Sequence, residues 1–292
     1  MPIKDILLVL DSHPVPTPGS AIEKAVELSR WLDAHLTALT FALKIVSPVG
    51  FYWDPLHVSG VFAEETKKSA VAASELLGAF QDLASRRNVA HAHLTVKDCP
   101  PLEVSARLVD HARLHDLTIL PHYEKSQVNP EDRLFDIGLQ TKNAEAAIFE
   151  SGRAVLLLPE RSKRAFSGSP EQVVVAWDHS GPAARAVGDA LPLLRRAKRV
   201  RVVTVTGEKP IHTRSGARLA DHLARHEIEA VFEERPSGGK PIGEALETYA
   251  LEQEIDLLVM GAYGHSRARE FILGGATRSV LHRPAVWTLL SH

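Results

Sequence analysis

Short, continuous apolar runs alternate along this chain with segments whose apolar positions recur every three or four residues, and the alternation happens twice. Residues 6–11 read ILLVLD and residues 173–178 read VVVAWD, each an apolar run closed by an aspartate and followed by small or turn-forming residues. After HLTALTFAL (35–43) in the first half and RVRVVTVT (199–206) in the second come helical patterns, then AHLTVK and IEAVFEE. PLEVSARLVDHARLHDLTIL (101–120) then parallels PIGEALETYALEQEIDLLVM (241–260): each is an amphipathic helix leading through Asp116 or Asp256 into an apolar strand. The halves close with AVLLLP and AVWTLLS. Unbroken Val, Ile and Leu runs mark strands covered on both faces, so each half predicts a doubly wound α/β domain with a mainly parallel, five-stranded sheet flanked by helices. Residues 159–172, charged, rich in turn formers and without periodicity, predict a linker, which divides the chain into domains at 1–162 and 170–292.

Composition narrows the class. With 292 residues, 45% of them hydrophobic, the chain can bury a substantial core. A formal charge of −2 offers no global attraction to nucleic acid or to an anionic membrane, and no apolar run approaches the roughly 20 residues needed to span a bilayer. The N-terminus lacks a secretory pattern, and the single cysteine, Cys99, excludes an intrachain disulfide; the expectation is a cytoplasmic protein. An insert at 44–62, carrying Phe51, Tyr52 and Trp53, has no counterpart of that length in the second half. It reads as a lid or packing element and is assigned no site.

Residues 261–275, GAYGHSRAREFILGG, place four glycines directly after the apolar run IDLLVM. In open parallel sheets ligands bind beyond the carboxyl ends of the strands, which is where Gly261 and Gly264 fall. Glycine there lets backbone N–H groups approach an anion, and Gly274 and Gly275 open a helix whose free N–H groups favour phosphate. The glycines alone serve a tight turn and a close helix start equally well. Neither G-x-x-x-x-G-K-[ST] nor G-x-G-x-x-G is present in the required context.

Gly261-x2-Gly264-x9-Gly274, behind a strand ending LLVMG and joined to a first strand ending in Asp178, resembles the ATP-binding subgroup of the universal stress protein family. The resemblance covers nearly the whole chain as two tandem family domains, with the nucleotide motif in the second only. It implies that Asp178 contacts the adenine edge of ATP or a related adenine nucleotide, with Ala176 and Trp177 beside it and Val205 against the base. It implies further that Met260 and Gly261 lie along the nucleoside, while Gly264, Gly274, Gly275 and Ala276 offer backbone donors to the phosphates. A helix cap is the alternative role for Asp178. Where the binders carry Ser or Thr after the last motif glycine, this chain has Gly275, and the next hydroxyl is Thr277. Losing a side-chain donor weakens a phosphate contact by about 1 to 3 kcal/mol. His265, Arg267 and Arg269 lie between the two glycine pairs, as phosphate contacts or as a solvated basic loop. The resemblance also implies pairing of the last strands into an intrachain pseudo-dimer, with room for further homodimerisation, and a role in which nucleotide occupancy governs contact with a protein partner.

The matching stretch of the first half substitutes Pro121 for the first glycine, lacks the second, and carries Glu124, Glu131, Asp132 and Asp136; only Gly138 matches the last. Proline has no N–H to donate, so no ATP is expected there. Two histidine pairs at i,i+4 spacing, His111 with His115 and His222 with His226, lack a third ligand and read as solvated helix surface, and Cys99 as an unreactive loop thiol. No metal site and no catalytic residue is assigned. A scaffold with little nucleotide affinity and a slow Mg²⁺-dependent ATPase or phosphoryl-transfer enzyme remain the alternatives to a nucleotide-responsive stress protein.

Overall fold

The computed structural model describes residues 2–46, 55–123, 139–160, 169–207, 215–262 and 275–292. In the first half the order is β1 (Asp5–Leu10), α1 (Gly19–Leu32), β2 (His35–Leu43), α2 (Pro55–Arg86), β3 (His91–Cys99), α3 (Val104–Ala112), β4 (Leu117–His122), α4 (Leu139–Glu150) and β5 (Ala154–Pro159). The second half repeats it: β6 (Gln172–Ala176), α5 (Gly181–Leu194), β7 (Arg199–Thr206), α6 (Ser215–Ala224), β8 (Ala230–Pro236), α7 (Ile242–Glu252), β9 (Leu257–Gly261), α8 (Gly275–His282) and β10 (Trp287–Ser291).

The two five-stranded units are not separate sheets. They form one ten-stranded sheet in the order β3-β2-β1-β4-β5-β10-β9-β6-β7-β8. Within each half the pairings are parallel, and the halves meet through antiparallel β5 and β10, with Leu156 opposite Leu289. The reason lies in the two strands themselves. Every residue of β5 and of β10 is buried, so left as edges they would expose both apolar side chains and unpaired backbone groups. The outer strands β3 and β8 consist instead almost wholly of half-buried and exposed positions and tolerate solvent. Across the junction Arg196 stacks over the Trp31 ring at 5.2 Å and donates to the Trp31 carbonyl, and Arg185 donates to the Gly152 carbonyl at 3.0 Å.

Helices α1, α2, α5 and α6 cover one face of the sheet through residues such as Ile22, Phe80, Val187 and Leu223. Helices α3, α4, α7 and α8 cover the other through Leu108, Ile148, Tyr249 and Val280. Burying each such Val, Leu, Ile or Phe contributes roughly 1.5–3 kcal/mol. The repeat extends to polar detail. Asp116 Oδ2 accepts from the N–H groups of Lys4 (2.8 Å) and Asp5 (3.1 Å), and Asp256 Oδ2 accepts from those of Glu171 and Gln172, both at 2.8 Å. Each carboxylate thus pins the entry of its half's first strand against the fourth.

Two expectations change. His115 is buried: α3 ends at Ala112, so the helical spacing to His111 is not sustained, and the turn brings its Nδ1 to 2.8 Å from the His111 carbonyl and its Nε2 to 3.8 Å from Asp5 Oδ1. Cys99 is the last residue of β3 and not a loop thiol; burial pushes its thiol up. Residues 47–54 of the insert, with Phe51, Tyr52 and Trp53, and residues 161–168 of the linker lie outside the described residues. Among the described residues no helix is long and apolar enough to cross a membrane, and no group of three or more His, Cys, Asp and Glu is arranged to hold a metal ion.

Candidate functional site

In the second half β6 and β9 run side by side and parallel, with Ala176 opposite Met260, so their carboxyl ends and the turns after them open at one place. Successive side chains of a strand point to opposite faces. Ala176, Val205 and Met260 consequently share the face covered by α7 and α8, and Ala276 of α8 packs against the same cluster. Trp177 points to the other face, into the core under α5 and α6, where its indole N–H donates to Ser215 Oγ at 3.2 Å. Its backbone is tied into the strand ends, with the Trp177 N–H donating to the Val203 carbonyl and the Thr204 hydroxyl donating to the Trp177 carbonyl. The Trp177 side chain therefore lies apart from the other apolar members of the expected set.

Asp178 is exposed at the end of β6. Its Oδ1 accepts from the Ser180 N–H at 3.0 Å, an Asx-type turn, and between them His179 adopts a left-handed conformation at φ 64°. The residue that caps α5 is Ser180, whose hydroxyl oxygen accepts from the Ala183 N–H at 3.2 Å. The capping alternative for Asp178 thus falls to its neighbour.

Gly261 has a packing reason to be glycine. A Cβ there would stand 2.3 Å from the Ala183 nitrogen and 2.5 Å from the Pro182 carbonyl carbon. The first turn of α5 rests directly on the end of β9. Gly275, the first residue of α8, has nothing among the described residues within 4 Å of where its Cβ would be. Thr277 is buried within the same helix. Beneath α8, the Ser279 hydroxyl donates to Glu247 at 3.0 Å, and burial pushes the Glu247 carboxyl up from its ordinary value. Gly264, Gly274, His265, Arg267 and Arg269 lie outside the described residues.

The corresponding place in the first half is filled by the chain itself. Asp11 occupies the position of Asp178, but the Tyr123 hydroxyl lies 3.2 Å from its Oδ2 and 2.8 Å from the Val15 carbonyl, and the Gln140 amide donates to the same Oδ2 at 3.4 Å. Tyr123 is buried, which raises its phenol well above the ordinary value, and the Asp11 charge adds to the shift. This plug escaped the sequence reading, which looked there for missing glycines; a tyrosine also stands two residues after Gly261, so its position alone gives no signal. Of the acidic residues read there, Glu124, Glu131, Asp132 and Asp136, with Gly138, lie outside the described residues.

A doubly wound sheet of this kind places its candidate ligand position beyond the carboxyl ends of the strands, where Asp178, the apolar side chains and the start of α8 lie. Residues 170–290 match the family model described as the universal stress protein family. A universal stress protein of Synechocystis sp. is 44% identical over 43 residues, a match spanning 15% of this chain and 15% of that protein's length. The fold of the whole chain is that of a universal stress protein from Archaeoglobus fulgidus, at TM-score 0.68 and 14% identity, with 98% of this chain and 95% of that chain covered. A second structure of the same fold comes from Pseudomonas aeruginosa, at TM-score 0.54 and 15% identity over 99% of this chain and 93% of that one.

Proposed function

We propose that the second domain, residues 170–292, binds ATP or a related adenine nucleotide beyond the ends of β6 and β9, and that occupancy governs how the protein meets a protein partner. The first domain, residues 1–162, is the structural half of the pseudo-dimer. The observation that carries this reading is the contrast between the two strand-end aspartates: Asp178 is exposed, whereas Asp11 is held by Tyr123 and Gln140.

The residues fit an adenine nucleotide. Ala176, Val205 and Met260 provide an apolar surface for the base, and the Asp178 carboxylate accepts from an exocyclic amine. The start of α8 at Gly275 and Ala276 would present its first-turn N–H groups to phosphate, joined by Gly264 and Gly274. Trp177 contributes through its position in the strand, since its side chain faces away. Gly261 contributes by letting α5 approach β9. Thr277 stands in the first turn of α8 and is the nearest hydroxyl after Gly275.

The open Gly275 position, without the hydroxyl of the binding subgroup, favours a second reading in which the site is weak and the protein acts as a scaffold. One measurement separates the two. Small molecules released on denaturing freshly purified protein are identified by mass spectrometry, beside a Gly264→Asp/Gly274→Asp double variant. Adenine nucleotide near one equivalent from the parent and none from the variant is the expected result. An empty parent that also fails to bind added ATP overturns the nucleotide reading.

A further inference from the structure

A second opening lies on the other face of the sheet. Helices α5 and α6 flank a cleft of about 690 Å³, within the size range of small-molecule sites. Each helix contributes a regular stripe to it. Ala184, Val187, Gly188 and Leu191 of α5 fall at i, i+3, i+4 and i+7, and Ser215, Arg218, Leu219 and His222 of α6 repeat that spacing. The α5 stripe is small where it matters. A Cβ on Gly188 would meet none of the described residues within 4 Å, although glycine in a helix interior is unfavourable. Pro192, inside the same helix, has no N–H to give the Gly188 carbonyl four residues earlier. Local helix preference is thus broken at the cleft wall.

The lining also has a chemical direction. Trp177 supplies a buried aromatic surface, with the His179 ring 5.9 Å away. Arg218 and His222 stand one turn apart on α6. The described lining contains a guanidinium and two imidazoles and no carboxylate, so its fixed charge is positive. An apolar, aromatic cleft with an arginine at its wall complements a flat organic molecule carrying a single acid group.

From these stripes, the buried tryptophan and the one-signed lining, we propose that the α5–α6 cleft is a binding site for a planar aromatic anion, with Arg218 receiving its acid group. It is separate from the nucleotide site, because Ala176, Val205 and Met260 face the opposite side of the sheet, and it does not rest on nucleotide binding. Trp177 links the two places along the chain, since it forms the cleft and adjoins Asp178.

The test is a fluorescence titration of the full chain with 8-anilinonaphthalene-1-sulfonate, beside its uncharged analogue N-phenyl-1-naphthylamine. Saturable binding of one sulfonate per chain is expected. Gly188→Leu, which fills the cleft at an open helix position, is expected to lower affinity for both probes at least about tenfold. Arg218→Gln, at an exposed position, is expected to lower affinity for the sulfonate about tenfold and leave the neutral probe unchanged. Should Gly188→Leu fail to fold by circular dichroism, the charge-selective effect of Arg218→Gln decides. Absence of saturable sulfonate binding overturns the proposal, as does binding that neither variant alters. Loss of the sulfonate in Gly264→Asp/Gly274→Asp with full retention in Gly188→Leu places the probe elsewhere and overturns it too.

Discussion

Asp11 and Asp178 end the same strand in two copies of one fold, and they lead opposite lives. In the first half α1 begins eight residues after the aspartate, and the intervening turn brings Val15 and Thr17 back towards Asp11 and Tyr123. In the second half α5 begins three residues after it, and its first turn sits on Gly261. A short turn drives the helix onto the fourth strand, demands glycine there and leaves the carboxylate outside. A longer turn frees the fourth strand to carry Pro121 and closes over the carboxylate. A repeated fold therefore keeps its sheet while a difference in turn length decides which copy stays open.

The largest expected effect tests that packing. Gly261→Val forces a Cβ into the backbone of Pro182 and Ala183 and should cost about 3 kcal/mol in urea unfolding, whereas Pro121→Val should cost under about 1 kcal/mol. Equal losses would break the comparison.

Next is the plug. Tyr123→Phe removes the single O–H shared between the Val15 carbonyl, at 2.8 Å, and Asp11, at 3.2 Å, and should cost about 1–3 kcal/mol. It should also change the alkaline limb of stability. The folded phenol titrates above its ordinary value of 10.0, so the unfolded chain releases this proton first. The neutral phenol's contribution is then complete below that value and is lost as pH rises beyond it. Denaturant midpoints between neutral and strongly alkaline pH should fall less steeply in Tyr123→Phe than in the parent.

Gly275→Ser sharpens the open site. The side chain meets none of the described residues at the start of α8 and should tighten ATP about tenfold by calorimetry through one added donor; unchanged affinity would mean that no phosphate lies there. The smallest effect concerns what the halves share. Asp116→Asn and Asp256→Asn each weaken two backbone contacts at a strand entry, and each should cost about 1 kcal/mol in thermal unfolding. A several-fold difference between them would show that the symmetry is only geometrical.

The strand and helix order was legible because the apolar runs and helical periods are long and occur twice. The paired strand entries were foreshadowed by Asp116 and Asp256, each standing just before an apolar run. The opposite orientation of Trp177 was latent in the strand's two-residue alternation but hidden by the motif, which treats residues 176 to 178 as one block. The tyrosine plug and the α5–α6 cleft were not legible, since each joins residues far apart in the chain.

The sequence by itself determined which segments become strands and helices, that the architecture repeats, and that the two halves differ at their strand ends. Those properties depend on local periodicity and residue chemistry. Only the tertiary structure decided that ten strands make one sheet, that Gly261 is glycine for the sake of α5, and that Asp11 is closed while Asp178 is open. Such outcomes turn on how closely distant backbones approach and which side chain reaches a shared carboxylate first, and neither is encoded in the spacing of residues along one segment.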